Sequence, residues 1–178
     1  MTTNPPALPA PTIPPLVVMG VQGSGKSTVG RLLAEKQGLR FIDGDDLHSA
    51  DAKAKMASGH PLTDADRLPW LTRIAQTMAD AQTAGESTVV ACSALKLSYR
   101  DLMRSIVPGL VFAELFGDQA IVADRLSHRN HEYMPTNLLD SQFATLEPLA
   151  ASEAGLRVSL TMTPDEIVGA ITESNGRR

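Results

Sequence analysis

The chain has 178 residues, 43% of them hydrophobic, and its 20 acidic side chains outnumber 16 basic ones for a formal charge of −4. That length suits one domain of about 100–200 residues with a core that needs no disulfide or structural metal, and the single cysteine, Cys92, excludes an internal disulfide scaffold and a multi-cysteine zinc site. The acidic balance lacks the broad positive field of a nucleic-acid binder, and no apolar run reaches the roughly 20 residues that span a membrane.

Six of the 12 prolines (Pro5, Pro6, Pro9, Pro11, Pro14, Pro15) stand in the first 15 residues. Repeated fixed φ angles and missing amide donors predict a disordered leader over 1–15. The leader has neither the basic start nor the uninterrupted apolar stretch of a signal peptide. The expected domain is therefore 16–174, followed by a polar tail at 175–178.

From Leu16 short apolar runs alternate with amphipathic stretches. Leu16 to Met19 reads as a buried strand, and Thr28 to Lys36 as a helix stopped by Gly38. Phe41-Ile42 is a second strand ending in Asp43. Thr63 to Ala84 is the longest helical stretch, with an interruption expected at Pro69. Ser87 to Ala91 is a strand rich in β-branched residues and Ser98 to Arg104 a short helix. Leu110 to Leu115 follows as strand, then Gln119 to His128 and Thr136 to Leu146 as helices. Arg157 to Leu160 as strand and Pro164 to Thr172 as helix complete the set, Pro164 being tolerated in a first turn. This alternation implies an α/β fold, a parallel sheet with helices on both faces, and ligands beyond the carboxyl ends of its strands.

Directly after the first strand comes Gly20-Val-Gln-Gly23-Ser24-Gly25-Lys26-Ser27, a full G-x-x-x-x-G-K-[ST] match between strand and helix. Its backbone amides, with that of Thr28, would cradle phosphates while Lys26 reaches the β- and γ-phosphates and the Ser27 hydroxyl ligates Mg²⁺. Neither the Asn-Lys-x-Asp guanine reader nor an Asp-x-x-Gly switch occurs in the chain. A mechanical ATPase usually needs more residues, which leaves a small kinase that moves the γ-phosphoryl group to a small acceptor.

Asp43-Gly-Asp45-Asp-Leu-His48, at the exit of the second strand, sets carboxylates beside the phosphate loop. Phosphoryl transfer needs one carboxylate near the metal and one for the proton of the attacking hydroxyl. Asp43 is assigned to the first task and Asp45 to the second, with Gly44 allowing close backbone approach. His48 has two readings, a donor to a substrate hydroxyl or a histidine at a helix entry.

These strings, with Lys55-Met-Ala-Ser-Gly-His-Pro-Leu-Thr-Asp-Ala-Asp-Arg67-Leu-Pro-Trp70, Cys92-Ser-Ala-Leu-Lys96-Leu-Ser-Tyr-Arg100-Asp and Leu138-Leu-Asp-Ser-Gln-Phe-Ala-Thr-Leu-Glu147, resemble the gluconate kinase family. The resemblance runs in order from about Leu16 to Glu147. It implies a three-layer P-loop fold like those of shikimate and nucleoside monophosphate kinases, with a five-stranded sheet in the order 2-3-1-4-5. It further implies phosphorylation of D-gluconate at its 6-hydroxyl by ATP with Mg²⁺; the enzyme is expected in the cytoplasm, with a homodimer as one option. A shikimate-type kinase and a nucleotide-binding regulator without transfer activity are the alternatives.

A sugar acid requires cations and polar groups. Arg67 and Arg100 can fork onto a carboxylate or phosphate, and Lys96 is either a point charge for substrate or a solvated surface cation. Trp70 reads as a core anchor and Cys92 as a small packing residue. Charge concentrates again from Arg125 to Pro135, which suits a lid over 126–136. By resemblance Arg125 packs on the adenine, with Pro164 as a candidate for its other side, and Arg129 reaches the phosphates or the acceptor. The segment departs from the usual lid: His131 stands where Gly is common, Glu132 where His is common, and Tyr133 replaces Phe.

Overall fold

The computed structural model describes residues 13–129 and 136–177. Five strands form one parallel sheet: β1 (Leu16–Met19), β2 (Arg40–Asp43), β3 (Thr88–Ala91), β4 (Val111–Phe116) and β5 (Gly155–Ser159). Their order is β2-β3-β1-β4-β5, so β1 lies at the centre with Val17 opposite Val90 on one side and Phe112 on the other. β1 is wholly apolar because both its faces are covered.

Alternation along β1 divides the core in two. Leu16 and Val18 face Val29 and Leu33 of α1 (Lys26–Gln37) and Ile167 and Ile171 of α7 (Pro164–Gly176). Val17 and Met19 face Leu71, Ile74 and Met78 of α3 (Asp64–Thr83) and Met103 of α4 (Leu97–Ile106). α5 (Gln119–Ser127) adds Val122 to the first cluster, and α6 (Thr136–Thr145) packs against α5. None of the described helices is long and apolar enough to cross a membrane.

Several expectations change. α2 (Ala50–Ala57) leaves no periodic signal in the sequence, because it buries none of its residues and so carries no apolar stripe; Ser49 caps it by accepting from the Ala52 amide. α3 is not interrupted at Pro69: a Thr63–Asp66 capping box starts it, and Trp70, Leu71 and Ile74 bury the following turn. The proline forfeits one backbone bond early in the helix, and burial of this face offsets the loss.

The domain is also longer than 16–174. Ile13 is buried, its carbonyl accepts from the Ser87 hydroxyl at 2.8 Å, and the Pro15 carbonyl accepts from the Val111 amide at 3.0 Å. At the other end α7 runs to Gly176 and buries Asn175, inside the expected tail. Residues 1–12 of the expected leader, and 130–135 of the expected lid with His131, Glu132 and Tyr133, lie outside the described residues.

Candidate active site

β1 delivers the chain to Gly20, whose amide donates to the Ser93 carbonyl at 3.3 Å, and the loop turns back into α1. The turn is completed at Gly25, the N-cap of α1, with φ 98. Only glycine takes that conformation without strain. No side chain caps the helix, so its first amides and the positive end of its dipole remain available to an anion. Beneath the loop the Ser24 hydroxyl is buried without a hydrogen-bond partner among the described residues.

Lys26 bends over the loop, its Nζ donating to the Val21 carbonyl at 3.0 Å. Burial lowers its pKa, against the opposing pull of Asp45, Cys92 and Asp43. The loop is held from α6 as well, where the Gln142 Oε1 accepts from the Gln22 amide at 2.7 Å.

Opposite the loop, Asp43 ends β2 and caps a 3₁₀ turn over Gly44–Leu47, its Oδ1 accepting from the Asp45 amide at 3.1 Å. Its other oxygen, Oδ2, lies 3.4 Å from the Ser27 hydroxyl. The Gly44 carbonyl accepts from the Trp70 indole at 2.7 Å, and His48 stacks on Trp70 with centroids 4.1 Å apart. Burial lowers the His48 pKa, which favours a neutral imidazole. Asp45 projects into the cleft with its side chain 85% exposed, 3.8 Å from His48 Nε2. The cleft walls nonetheless displace part of its hydration, and this desolvation, followed by the neighbouring Asp43 charge, raises its pKa.

Loop and turn face each other across a cleft of about 750 Å³ at the carboxyl ends of the strands. Gly23, Gly25, Lys26, Ser27 and Thr28 line one side, Asp43, Asp45 and His48 the other, and Arg67 and Arg129 add cations. A phosphate cradle, a carboxylate pair and two guanidiniums around one cavity are the parts of a phosphotransfer site.

A family model described as an AAA domain matches residues 16–149. The chain is 42% identical to the probable gluconokinase of Mus musculus, over 89% of this chain and 96% of that protein. It is 43% identical to the gluconokinase of Gluconobacter oxydans, over 86% of each. The crystal structure of a gluconokinase from Sinorhizobium meliloti 1021 superposes with a TM-score of 0.85 at 42% identity, over 93% of each chain. The chain belongs to the gluconokinase family. The shikimate kinase of Aquifex aeolicus, at 16% identity and a TM-score of 0.56, shares the fold.

Not every residue singled out in the sequence reaches the cleft. Arg100 does not: it is 1% exposed, its Nε and Nη2 donate to Glu153 at 2.8 and 3.0 Å, and its Nη1 to the Ala94 and Leu95 carbonyls. A guanidinium so committed has no free edge for substrate, and its position in a family string reflects a structural role. Lys96 also stands outside the cleft, pairing with Asp64 at 3.0 Å. Arg125 donates to the Leu160 carbonyl, next to the connection where Pro164 opens α7. Gly20 and Ser24 shape the loop from beneath.

Cys92 is buried, and burial raises its thiol to about 12, as a packing residue requires. Trp70 does more than anchor the core, since its indole holds the acidic turn. Two further residues at the site carry little signal in the sequence. Lys53, on the stripeless α2, lines the cleft. Gln142 had one signal, its place inside the Leu138–Glu147 string.

Proposed function

We propose that the protein transfers the γ-phosphoryl group of ATP to the 6-hydroxyl of D-gluconate, giving 6-phospho-D-gluconate. One observation carries this reading: Asp45 stands across a single cleft from the phosphate loop, with the guanidinium of Arg67 on the same wall system. An acceptor that is both polyol and anion needs a base for its hydroxyl and a cation for its carboxylate, and the cleft offers both. Family membership favours gluconate over a shikimate-type acceptor, and the carboxylate pair argues against a regulator without transfer activity.

In this reading the loop amides and Lys26 bind the β- and γ-phosphates. Arg125 and Pro164 flank the adenine, and Arg129 reaches the transferring group. The hydroxyl of Ser27 beside the carboxylate of Asp43 is a hard oxygen pair that suits Mg²⁺, and these two residues would hold it. Bound there with the nucleotide, Mg²⁺ neutralises phosphate charge. Asp45 orients the acceptor hydroxyl and takes its proton, His48 donates to a neighbouring hydroxyl as a neutral imidazole, and Arg67 receives the acceptor carboxylate. Transfer is direct and in line, without a covalent enzyme intermediate. A buried free thiol suits a reducing cytoplasm.

The test is transfer from ATP to a panel of gluconate, shikimate and nucleoside monophosphates. The expected result is turnover with gluconate well above background hydrolysis. Turnover with another acceptor and none with gluconate would reject the assignment.

A further inference from the structure

The guanidinium of Arg67 has one hydrogen-bonded protein partner among the described residues. Its Nη1 donates to the Tyr99 hydroxyl at 3.1 Å, and the guanidinium carbon lies 5.8 Å from the centre of the Tyr99 ring. The other N–H donors of this five-donor fork have no protein acceptor among the described residues, and Arg67 lines the cleft. Tyr99 itself is 4% exposed and packed in the core between α3 and α4. Its hydroxyl donates to Asp64 Oδ1, and Asp64 in turn holds Lys96 at 3.0 and 3.1 Å. A chain of contacts thus runs Lys96, Asp64, Tyr99, Arg67, from the surface to the cleft.

We propose that Tyr99, backed by Asp64 and Lys96, is a positioning residue that holds Arg67 ready for the carboxylate of the acceptor. The inference rests on the gluconate reading and deepens it. The chemistry favours an interposed phenol over a direct ion pair. A carboxylate bonded straight to Arg67 would occupy the fork and cancel the charge that substrate must use. The phenol oxygen is a neutral acceptor, so it fixes the guanidinium while leaving its charge unspent, and Lys96 balances Asp64 behind it. Holding a long flexible side chain in place before substrate arrives removes part of the ordering cost of binding. Lys96 therefore bears on the acceptor site through Asp64 and Tyr99.

The experiment compares wild type, Tyr99→Phe, Arg67→Ala and the double variant, with KM measured for gluconate and for ATP. Phenylalanine keeps the ring and its packing and removes only the hydroxyl. Tyr99→Phe should raise the gluconate KM about tenfold and leave the ATP KM unchanged. In the Arg67→Ala background the same change should add little, because its effect passes through Arg67. An unmoved gluconate KM, or an equal penalty with and without Arg67, would overturn the proposal. Asp64→Asn, at an exposed position, should raise the gluconate KM in the same direction even where Tyr99→Phe folds poorly, and failure to do so would also count against it. A wild-type protein inactive on gluconate rejects the functional reading itself, whereas an active one with an unmoved Tyr99→Phe rejects only the relay.

Discussion

Asp45 has the opposite setting to a salt-bridged surface carboxylate. Desolvation in the cleft and the Asp43 charge both disfavour its ionised form, so its pKa lies above the ordinary 3.8. A raised pKa makes a carboxylate a stronger proton acceptor once it is ionised. The sign of the pH dependence follows. In the proposed role Asp45 works deprotonated, so turnover should fall as pH drops through the raised pKa, earlier than an ordinary carboxylate would dictate. Asp45→Asn keeps the shape and removes the base; kcat should fall by about 100-fold or more with ATP binding retained. Steady-state kinetics with a separate nucleotide-binding measurement check this, and near-normal turnover would remove Asp45 from the proton path.

The acidic turn depends on how closely two elements approach. A Cβ placed on Gly44 would lie 2.7 Å from the Ala91 carbonyl of β3 and 3.2 Å from Ile74 of α3. The first obstacle is backbone in the middle of a sheet and has little room to yield. Gly44→Ala should therefore push the turn off β3, costing about 1–3 kcal/mol of stability in a urea titration. It should also displace Asp43 and Asp45 together, so kcat should fall as well. A variant of unchanged stability and turnover would show that the turn has slack. α2 presents the reverse case, a helix held by its Ser49 cap with no buried face, which is why hydrophobic periodicity could not reveal it.

At the scale of the molecule, a buried ionic network fastens the segment between α6 and β5 to the rest of the fold. Glu153 accepts from Arg100, from Arg104 at 2.7 Å and from the Ala150 amide at 2.8 Å. Glu147, in the same segment, accepts from the Leu97 amide at 2.6 Å at the start of α4. Burial alone would raise the Glu153 pKa, but the hydrogen bonds from Arg100, Ala150 and Arg104 prevail and hold it at about 2. A depressed carboxylate contributes stability that is complete above its unfolded value of 4.5 and is lost as pH falls towards 2. Arg100→Met strands a buried charge that Arg104 only partly offsets, so it should cost about 3 kcal/mol, measured by denaturant at neutral pH. A loss under about 0.5 kcal/mol would mean that the pair merely breaks even.

The sequence by itself determined the phosphate loop, the Asp43–Asp45 pair, the alternation of strands and helices, and the family. These are local patterns whose spacing encodes their geometry, since a loop that wraps phosphate needs its glycines and a strand buried on both faces needs its apolar run. Only the tertiary structure decided which cations face the cleft. Arg67 and Arg100 look alike in sequence, yet one presents its fork to the cavity and the other is consumed by Glu153, 53 residues away. The roles of Lys96, Trp70 and Gln142 were equally out of reach, because each depends on a partner supplied by a distant element. The burial of Ile13, ahead of the expected start at Leu16, has the same origin: a proline-rich stretch predicts extended chain, and only packing shows that this part of it is buried.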